Sequence, residues 1–118
     1  MPSIVATDRA HLDFVIAERL EKYGPKADLN DIDVSAIEDF SMLFANQIFS
    51  GDVSRWNTGS ATKMRGMFTQ TQFNGDVSKW NVANVRDMAL MFENTPFQGD
   101  LSKWDVRQVA DFRHMFAQ

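Results

Sequence analysis

A block of 24 residues recurs along this chain without gaps. The stretch FNGDVSKWNVANVRDMALMF begins at Phe73, and close copies of it begin at Phe49 and Phe97. A weaker copy one period earlier has Ile32 where the other copies have tryptophan. Repeats of about 20–50 residues are typical of units that cannot bury an apolar face alone and therefore stack. The sequence predicts four repeats, which are residues 25–48, 49–72, 73–96 and 97–118.

The second half of each repeat has the apolar spacing of a short helix. In the third repeat, apolar residues follow one another at steps of three, three, three and one, and the period of two that marks a strand is absent. Such a stripe indicates one helix of about ten residues per repeat. Its members in the third repeat are Val82, Val85, Met88, Met91 and Phe92.

Two further signals complete the predicted fold. A Gly-Asp pair early in three of the repeats indicates a second helical turn of about four to five residues. Residues 7–24, TDRAHLDFVIAERLEKYG, indicate a long helix that Thr7 or Asp8 caps. We therefore expect a mainly α protein, a short right-handed solenoid of four 24-residue repeats over residues 25–118, with an N-terminal capping helix in residues 1–24.

The last repeat ends in apolar residues with no capping element after them. Phe112, Met115 and Phe116 come just before the C-terminus, whereas a solenoid needs a cap at each end. His114 stands where the earlier repeats have Met, Gly or Leu, which suits a terminal repeat modified to meet water. The alternative is that this end meets a partner, either another protein or a second copy of the chain in a homodimer.

The net charge of −4 is unevenly distributed along the chain. Five acidic residues and no basic residue lie between positions 28 and 39. One interpretation is a solvated face whose carboxylates cap turns. The other is a surface that binds a basic partner. The acidic residues are Asp28, Asp31, Asp33, Glu38 and Asp39.

The repeat resembles that of a known family. The stretch FNGDVSKWNVANVRDMALMF and the lead-in YGPKADLNDIDVSAIEDFSMLF are similar to the arrays of the BspA-like surface proteins, whose function is unknown. The resemblance covers residues 25–118 in four consecutive copies. It implies a solenoid loosely of the leucine-rich-repeat class, of a type found in bacterial proteins proposed to bind other proteins at the cell surface.

The chain offers little for catalysis. It has no cysteine, and neither of its two histidines, His11 and His114, stands near a cluster of metal-ligand residues in the sequence. The aspartate that recurs once per repeat supplies too few oxygens for calcium, so we expect it to cap turns. The recurring tryptophans are expected in the core. The sequence predicts a protein that is not an enzyme and that holds no metal or cofactor.

A rigid repeat surface without a chemical site is typical of a binding protein. No apolar run approaches the ~20 residues of a membrane helix, and the start MPSIVATDRAHLDF lacks the plan of a secretion signal. We expect a cytoplasmic protein that binds neither a membrane nor nucleic acid directly. The leading hypothesis is a small stand-alone inhibitor that binds a partner protein and blocks its surface. The partner would have a basic surface, and the inhibitor would act as an acidic nucleic-acid mimic of the phage anti-defence (anti-CRISPR-like) type. The alternatives are a fragment or short relative of a bacterial surface adhesin and a toxin-immunity protein.

Overall fold

The computed structural model describes residues 3–117 of the chain. Its regular elements are strand β1 (Ile4–Val5), helix α1 (Arg9–Tyr23) and strand β2 (Ile32–Asp33). The two strands pair in parallel, with Ile4 opposite Ile32. The chain after β2 consists of turns, bends and isolated bridges. We call the successive 24-residue stretches coils one to four, which are residues 25–48, 49–72, 73–96 and 97–117.

Helix α1 forms where the sequence predicts it. Asp8 is the N-cap, and its Oδ1 accepts a hydrogen bond of 2.8 Å from the N–H of His11. Gly24 ends the helix at a φ of +86° and donates its N–H to the carbonyl of Leu20. The buried face of α1 belongs to the same core as coil one, so the helix covers the N-terminal end of the stacked coils. Its buried apolar residues are Leu12, Val15 and Ile16.

The mainly α solenoid predicted from the sequence is wrong. Among residues 3–117, α1 is the only helix, and the segments expected to be helical in each repeat are runs of turns. In residues 40–47, every second N–H closes a turn onto the carbonyl three residues back, with N···O distances of 3.1–3.2 Å. Turns closed at that step place apolar residues about three apart, which is the spacing that resembles a helix.

A left-handed residue in each coil interrupts any helix. The φ angle lies between +54° and +64° at four positions 24 residues apart, which are Met42, Gly66, Leu90 and His114. A right-handed helix cannot continue through such a residue. Glycine adopts this conformation most readily, and at Gly66 a Cβ would also collide with Sδ of Met42.

A ladder of backbone hydrogen bonds joins one coil to the next. At each of the three coil interfaces, four N–H groups at alternate residues donate to the C-terminal neighbour, with N···O distances of 2.8–3.0 Å. In coil one they belong to Phe40, Met42, Phe44 and Asn46, which donate to carbonyls of coil two. Other bonds run in the opposite direction, as from the N–H of Thr62 to the carbonyl of Glu38 at 2.8 Å. Parallel bridges between coils mark the same side of the molecule, as between Asp87 and Asp111. Every N–H of this ladder points toward the C-terminal neighbour and every carbonyl toward the N-terminal one.

The core is a set of aromatic columns that run through the coils. Phe44, Phe68, Phe92 and Phe116 stack with centroid distances of 5.6–5.7 Å. A second column of Phe49, Phe73 and Phe97 stacks at 6.0–6.1 Å. The tryptophans are buried as predicted, and each Nε1 donates to a carbonyl of the preceding coil at 2.8–2.9 Å. Because each indole joins two coils, the columns stabilise the stack as one unit.

Recurring aspartates shape the corners of the coils. The carboxylates of Asp52, Asp76 and Asp100 accept the N–H two residues on, at 2.8–2.9 Å. This is the Asx turn, in which a carboxylate takes the place of a backbone acceptor. The prediction that this column caps turns is confirmed. The domain boundary between residues 24 and 25 stays a prediction.

Candidate functional site

The acidic run contains one ion pair with helix α1. Nη1 of Arg19 donates to Oδ1 of Asp31 at 2.6 Å, and both side chains are largely buried. This hydrogen bond lowers the pKa of Asp31 below its usual value, against the raising effect of partial burial. Oδ2 of Asp31 is buried and has no hydrogen-bond partner among the described residues. Asp31 is therefore an internal anchor for α1 more than a free surface charge.

Three other members of the run cap turns of the backbone. Asp28, Asp33 and Asp39 each accept the N–H two residues on, at 2.8–2.9 Å. Hydrogen bonds from Ser35 lower the pKa of Asp33. Partial burial raises the pKa of Asp39, but hydrogen bonds from Ser41 outweigh it and the net pKa lies below the usual value. Asp33 and Asp39 therefore stay charged at neutral pH while they also cap turns.

The structure divides the predicted acidic surface. Asp28 and Asp31 line an open depression of about 270 Å³ together with Asn30 and the cation of Arg55. Asp31, Asp33 and Arg55 also line a second depression of about 280 Å³. Neither depression includes Glu38 or Asp39 among its lining residues.

Helix α1 also brings a cation to the second part of the run. Nη1 of Arg9 lies 3.9 Å from Oδ1 of Asp39 and donates to the Asp39 carbonyl at 3.1 Å. The side chain of Glu38 is exposed, and its backbone carbonyl accepts from Thr62 and Lys63 of coil two. The five acids are therefore not one continuous anionic patch, because Arg9, Arg19 and Arg55 lie among them.

The C-terminal coil exposes side chains that are buried in the other coils. Phe116 is 55% exposed, whereas Phe44, at the equivalent position of coil one, is fully buried. Phe112 is 44% exposed against 0% for Phe40. Met115, the third residue predicted at this end, remains buried at 7%. The difference arises because α1 covers coil one and no described residue covers coil four.

The backbone is also uncovered there. The ladder positions of coil four are Phe112, His114 and Phe116, and no hydrogen bond within residues 3–117 uses their N–H groups. We call the exposed Phe112 and Phe116 side chains and these three N–H groups the open end. Charged groups near it are paired, and the hydrogen bond from Arg113 lowers the pKa of Asp111 to about 2. The open end therefore combines apolar rings with unpaired backbone donors.

A comparison with known protein families identifies the family to which the chain belongs. A family described as "Mycoplasma protein of unknown function, DUF285" matches residues 16–118. The chain belongs to the DUF285 family. The match covers nearly nine tenths of the sequence, and the family has no established function. No curated protein and no solved structure matches the chain. The finer resemblance to the BspA-like proteins stays a prediction.

Metal-ligand side chains are not clustered in the described part of this DUF285 chain. Within residues 3–117, no group of three His, Cys, Asp or Glu side chains is arranged to hold a metal ion. Nδ1 of His11 accepts the N–H of Thr7 at 3.1 Å, beside the start of α1. No helix in the same range is long and apolar enough to cross a membrane.

The backbone donors of the open end were missed by sequence reasoning. Their direction depends on which N–H groups close turns, and the apolar pattern does not encode this. Phe112 and Phe116, two of the three apolar residues that the sequence singled out at this end, are exposed, and their role in association stays a prediction.

Proposed function

We propose that this DUF285 chain is a non-enzymatic module that binds another protein through the open end. The observation that carries the proposal is the exposure of Phe112 and Phe116, whose counterparts Phe40 and Phe44 are fully buried. Exposed apolar patches on an otherwise polar surface are typical of protein interaction sites. Two aromatic rings at the centre of such a patch are also typical of the residues that dominate binding energy.

The proposal covers what the candidate roles share. A cytoplasmic inhibitor, a toxin-immunity protein and a short relative of a BspA-like surface adhesin all act by occupying the surface of a partner. The acidic nucleic-acid mimic draws less support, because Arg9 and Arg19 offset the charges of Asp39 and Asp31. Within the acidic run, the exposed carboxylate without a described contact is that of Glu38.

The test is affinity capture with matched variants of the full chain. The wild type, the double variant Phe112→Ser/Phe116→Ser and the variant Phe14→Ser are immobilised and exposed to a lysate of the native host. Phe14 is the matched control, since it is 66% exposed on α1, away from coil four. We expect one partner that the wild type and Phe14→Ser retain and the double variant loses. Equal capture by all three proteins would contradict the proposal that the open end binds the partner.

A second comparison addresses the acidic alternative. The variant Glu38→Lys reverses the charge of a side chain that makes no described contact, so the fold should be unchanged. Loss of the partner with Glu38→Lys, and its retention by Phe112→Ser/Phe116→Ser, would move the binding site to the acidic run. Failure of every form to capture a protein would contradict the binding proposal itself.

A further inference from the structure

Packing favours a glycine at one corner of coils two, three and four. At Gly75 an added Cβ would lie 2.8 Å from Cε1 of Phe73, and a similar ring contact recurs at Gly99. At Gly51 the added Cβ would collide with the carbonyl oxygen of Ala27. A larger residue would have to displace the phenylalanine column or the backbone beside it. The stack therefore holds a glycine at the same place in each of these coils.

The residue before this glycine differs from coil to coil, and in coil three it is asparagine. An asparagine side chain can close a five-membered ring onto the backbone nitrogen of the next residue, and a following glycine hinders that ring least because it has no Cβ. Asn74 is the one of the seven asparagines that glycine follows, since the other six precede Asp, Gln, Thr or Val. Serine has no side-chain carbonyl, and glutamine would have to close a larger ring more slowly. The equivalent residues of coils two and four are Ser50 and Gln98.

The groups that this ring closure would join are free in the structure. Asn74 is exposed, and neither it nor Gly75 belongs to the helix or the strands. No hydrogen bond within residues 3–117 uses the N–H of Gly75 or Nδ2 of Asn74, which are the attacking nitrogen and the leaving group. Oδ1 of Asn74 accepts the N–H of Gln98 at 3.0 Å. This donor would stabilise the negative charge that forms on Oδ1 when Cγ is attacked.

We propose that Asn74 is a site of spontaneous deamidation through a succinimide that it forms with Gly75. Hydroxide takes the amide proton of Gly75, and the nitrogen then attacks Cγ of Asn74. The Cγ–Nδ2 bond breaks, and Nδ2 leaves as ammonia after it takes up a proton from water, which restores the hydroxide. A second water adds to either carbonyl of the ring and breaks its bond to the Gly75 nitrogen, which gives aspartate or isoaspartate. The sum is one water consumed and one ammonia released, with no change of oxidation state.

Isoaspartate disturbs the corner between coils three and four. Its backbone runs through Cγ, so one methylene group is inserted between Phe73 and Gly75. The ring of Phe73 stacks on those of Phe49 and Phe97 at 6.0 and 6.1 Å, and the insertion moves it within this column. The N–H of Gln98 loses its native acceptor, and the net charge of −4 becomes one unit more negative. The modification therefore loosens coil four, whether or not the open end binds a protein.

The experiment ages the full chain in mildly alkaline buffer at physiological temperature and maps its peptides by mass spectrometry. Deamidation is read from the mass gain of each asparagine peptide, and isoaspartate from methyl transfer by an isoaspartate methyltransferase. We expect Asn74 to convert at least about tenfold faster than any other asparagine, and more slowly in mildly acidic buffer, because hydroxide supplies the base. The matched variants Asn74→Ser and Asn74→Gln carry the residues of coils two and four, and should stay unmodified at this position.

Two comparisons test whether the fold allows the reaction and whether the reaction affects the fold. The chain aged in guanidinium chloride gives the rate without structure, and native Asn74 should convert within about tenfold of that rate. Stronger protection in the native chain, or equal conversion of all the asparagines, would overturn the proposal. The urea midpoint of the aged wild type should fall, whereas those of the aged variants should stay constant. A modified wild type with an unchanged midpoint would overturn the loosening of coil four.

Discussion

Replacing one phenylalanine of a column should lower the free energy of unfolding much more inside the stack than at the open end. Phe92 and Phe116 occupy equivalent positions, and both can be changed to Leu, which keeps an apolar side chain of similar size. Phe92 is 1% exposed, and its ring lies 4.1–6.5 Å from four other rings, which are those of Phe68, Phe97, Trp104 and Phe116. Phe116 is 55% exposed and stacks on Phe92 from one side.

The magnitudes follow from these neighbours. An aromatic pair contributes about 0.5–1.5 kcal/mol beyond the burial of its area, and imperfect refilling of a buried site adds up to about 1 kcal/mol. We expect Phe92→Leu to lower the free energy of unfolding by about 3 kcal/mol, since four ring pairs are lost. Phe116→Leu loses one pair at an exposed site and should cost about 1 kcal/mol or less.

Urea denaturation of the two variants and the wild type measures the difference. With a urea m-value of about 2 kcal/mol/M, the midpoint should fall by about 1.5 M for Phe92→Leu and by about 0.5 M or less for Phe116→Leu. Equal m-values would show that the two variants unfold in the same manner as the wild type. Losses that agree within about 0.5 kcal/mol would refute the claim that coil four is uncovered.

Three further predictions concern the fold. Trp80→Phe removes the 2.9 Å bond from Nε1 to the buried Val53 carbonyl, and should lower the free energy of unfolding by about 1–3 kcal/mol in urea denaturation. Gly51→Ala places a Cβ against the carbonyl oxygen of Ala27, and should lower the melting temperature more than Gly59→Ala, where the nearest atom is 3.1 Å away. Asp31, with a pKa below 3.8 in the fold, stabilises the protein above its unfolded pKa and loses this effect as the pH falls through the folded value. Urea midpoints should therefore fall below about pH 4, and less steeply in Asp31→Asn; equal slopes would exclude the Arg19 pair as the cause.

The repeat period determined the parts of the fold that the sequence predicted correctly. A 24-residue step places Trp56, Trp80 and Trp104 in one column, and a recurring tryptophan on one column is almost always buried. The recurring aspartates follow in the same way, since one capping residue is needed at each equivalent corner. Helix α1 was predictable because its cap, its apolar face and its terminal glycine are all local in sequence.

The helices predicted within the repeats failed for a specific reason. Apolar residues about three apart fit a helix and a run of turns equally well, so the spacing could not decide between them. The deciding features are the left-handed residues, and in the repeats glycine marks them only at Gly66. A second left-handed column at Asn46, Gln70 and Asn94 follows four residues after the first in coils one to three. Met42, Leu90 and His114 adopt the same conformation without a glycine to mark it. The N–H groups of Met42 and Leu90 are bonded to the next coil, and His114 keeps the conformation at the open end.

The candidate site was partly predictable for the same reason. The exposed rings of Phe112 and Phe116 follow from the register of the last repeat. The acidic run was visible in the sequence, but its pairing with Arg9 and Arg19 depends on how α1 packs on coil one. The roles of these surfaces in binding stay predictions.

Amide hydrogen exchange, measured by NMR on the full chain, distinguishes bonded ladder N–H groups from free ones. N–H groups at equivalent ladder positions are bonded between coils in the stack and free at the open end. We therefore expect slow exchange for Phe68 and Phe92, whose N–H groups donate at 3.0 and 2.9 Å, and fast exchange for Phe116. Protection of Phe116 equal to that of Phe92, or fast exchange at all three, would contradict this expectation.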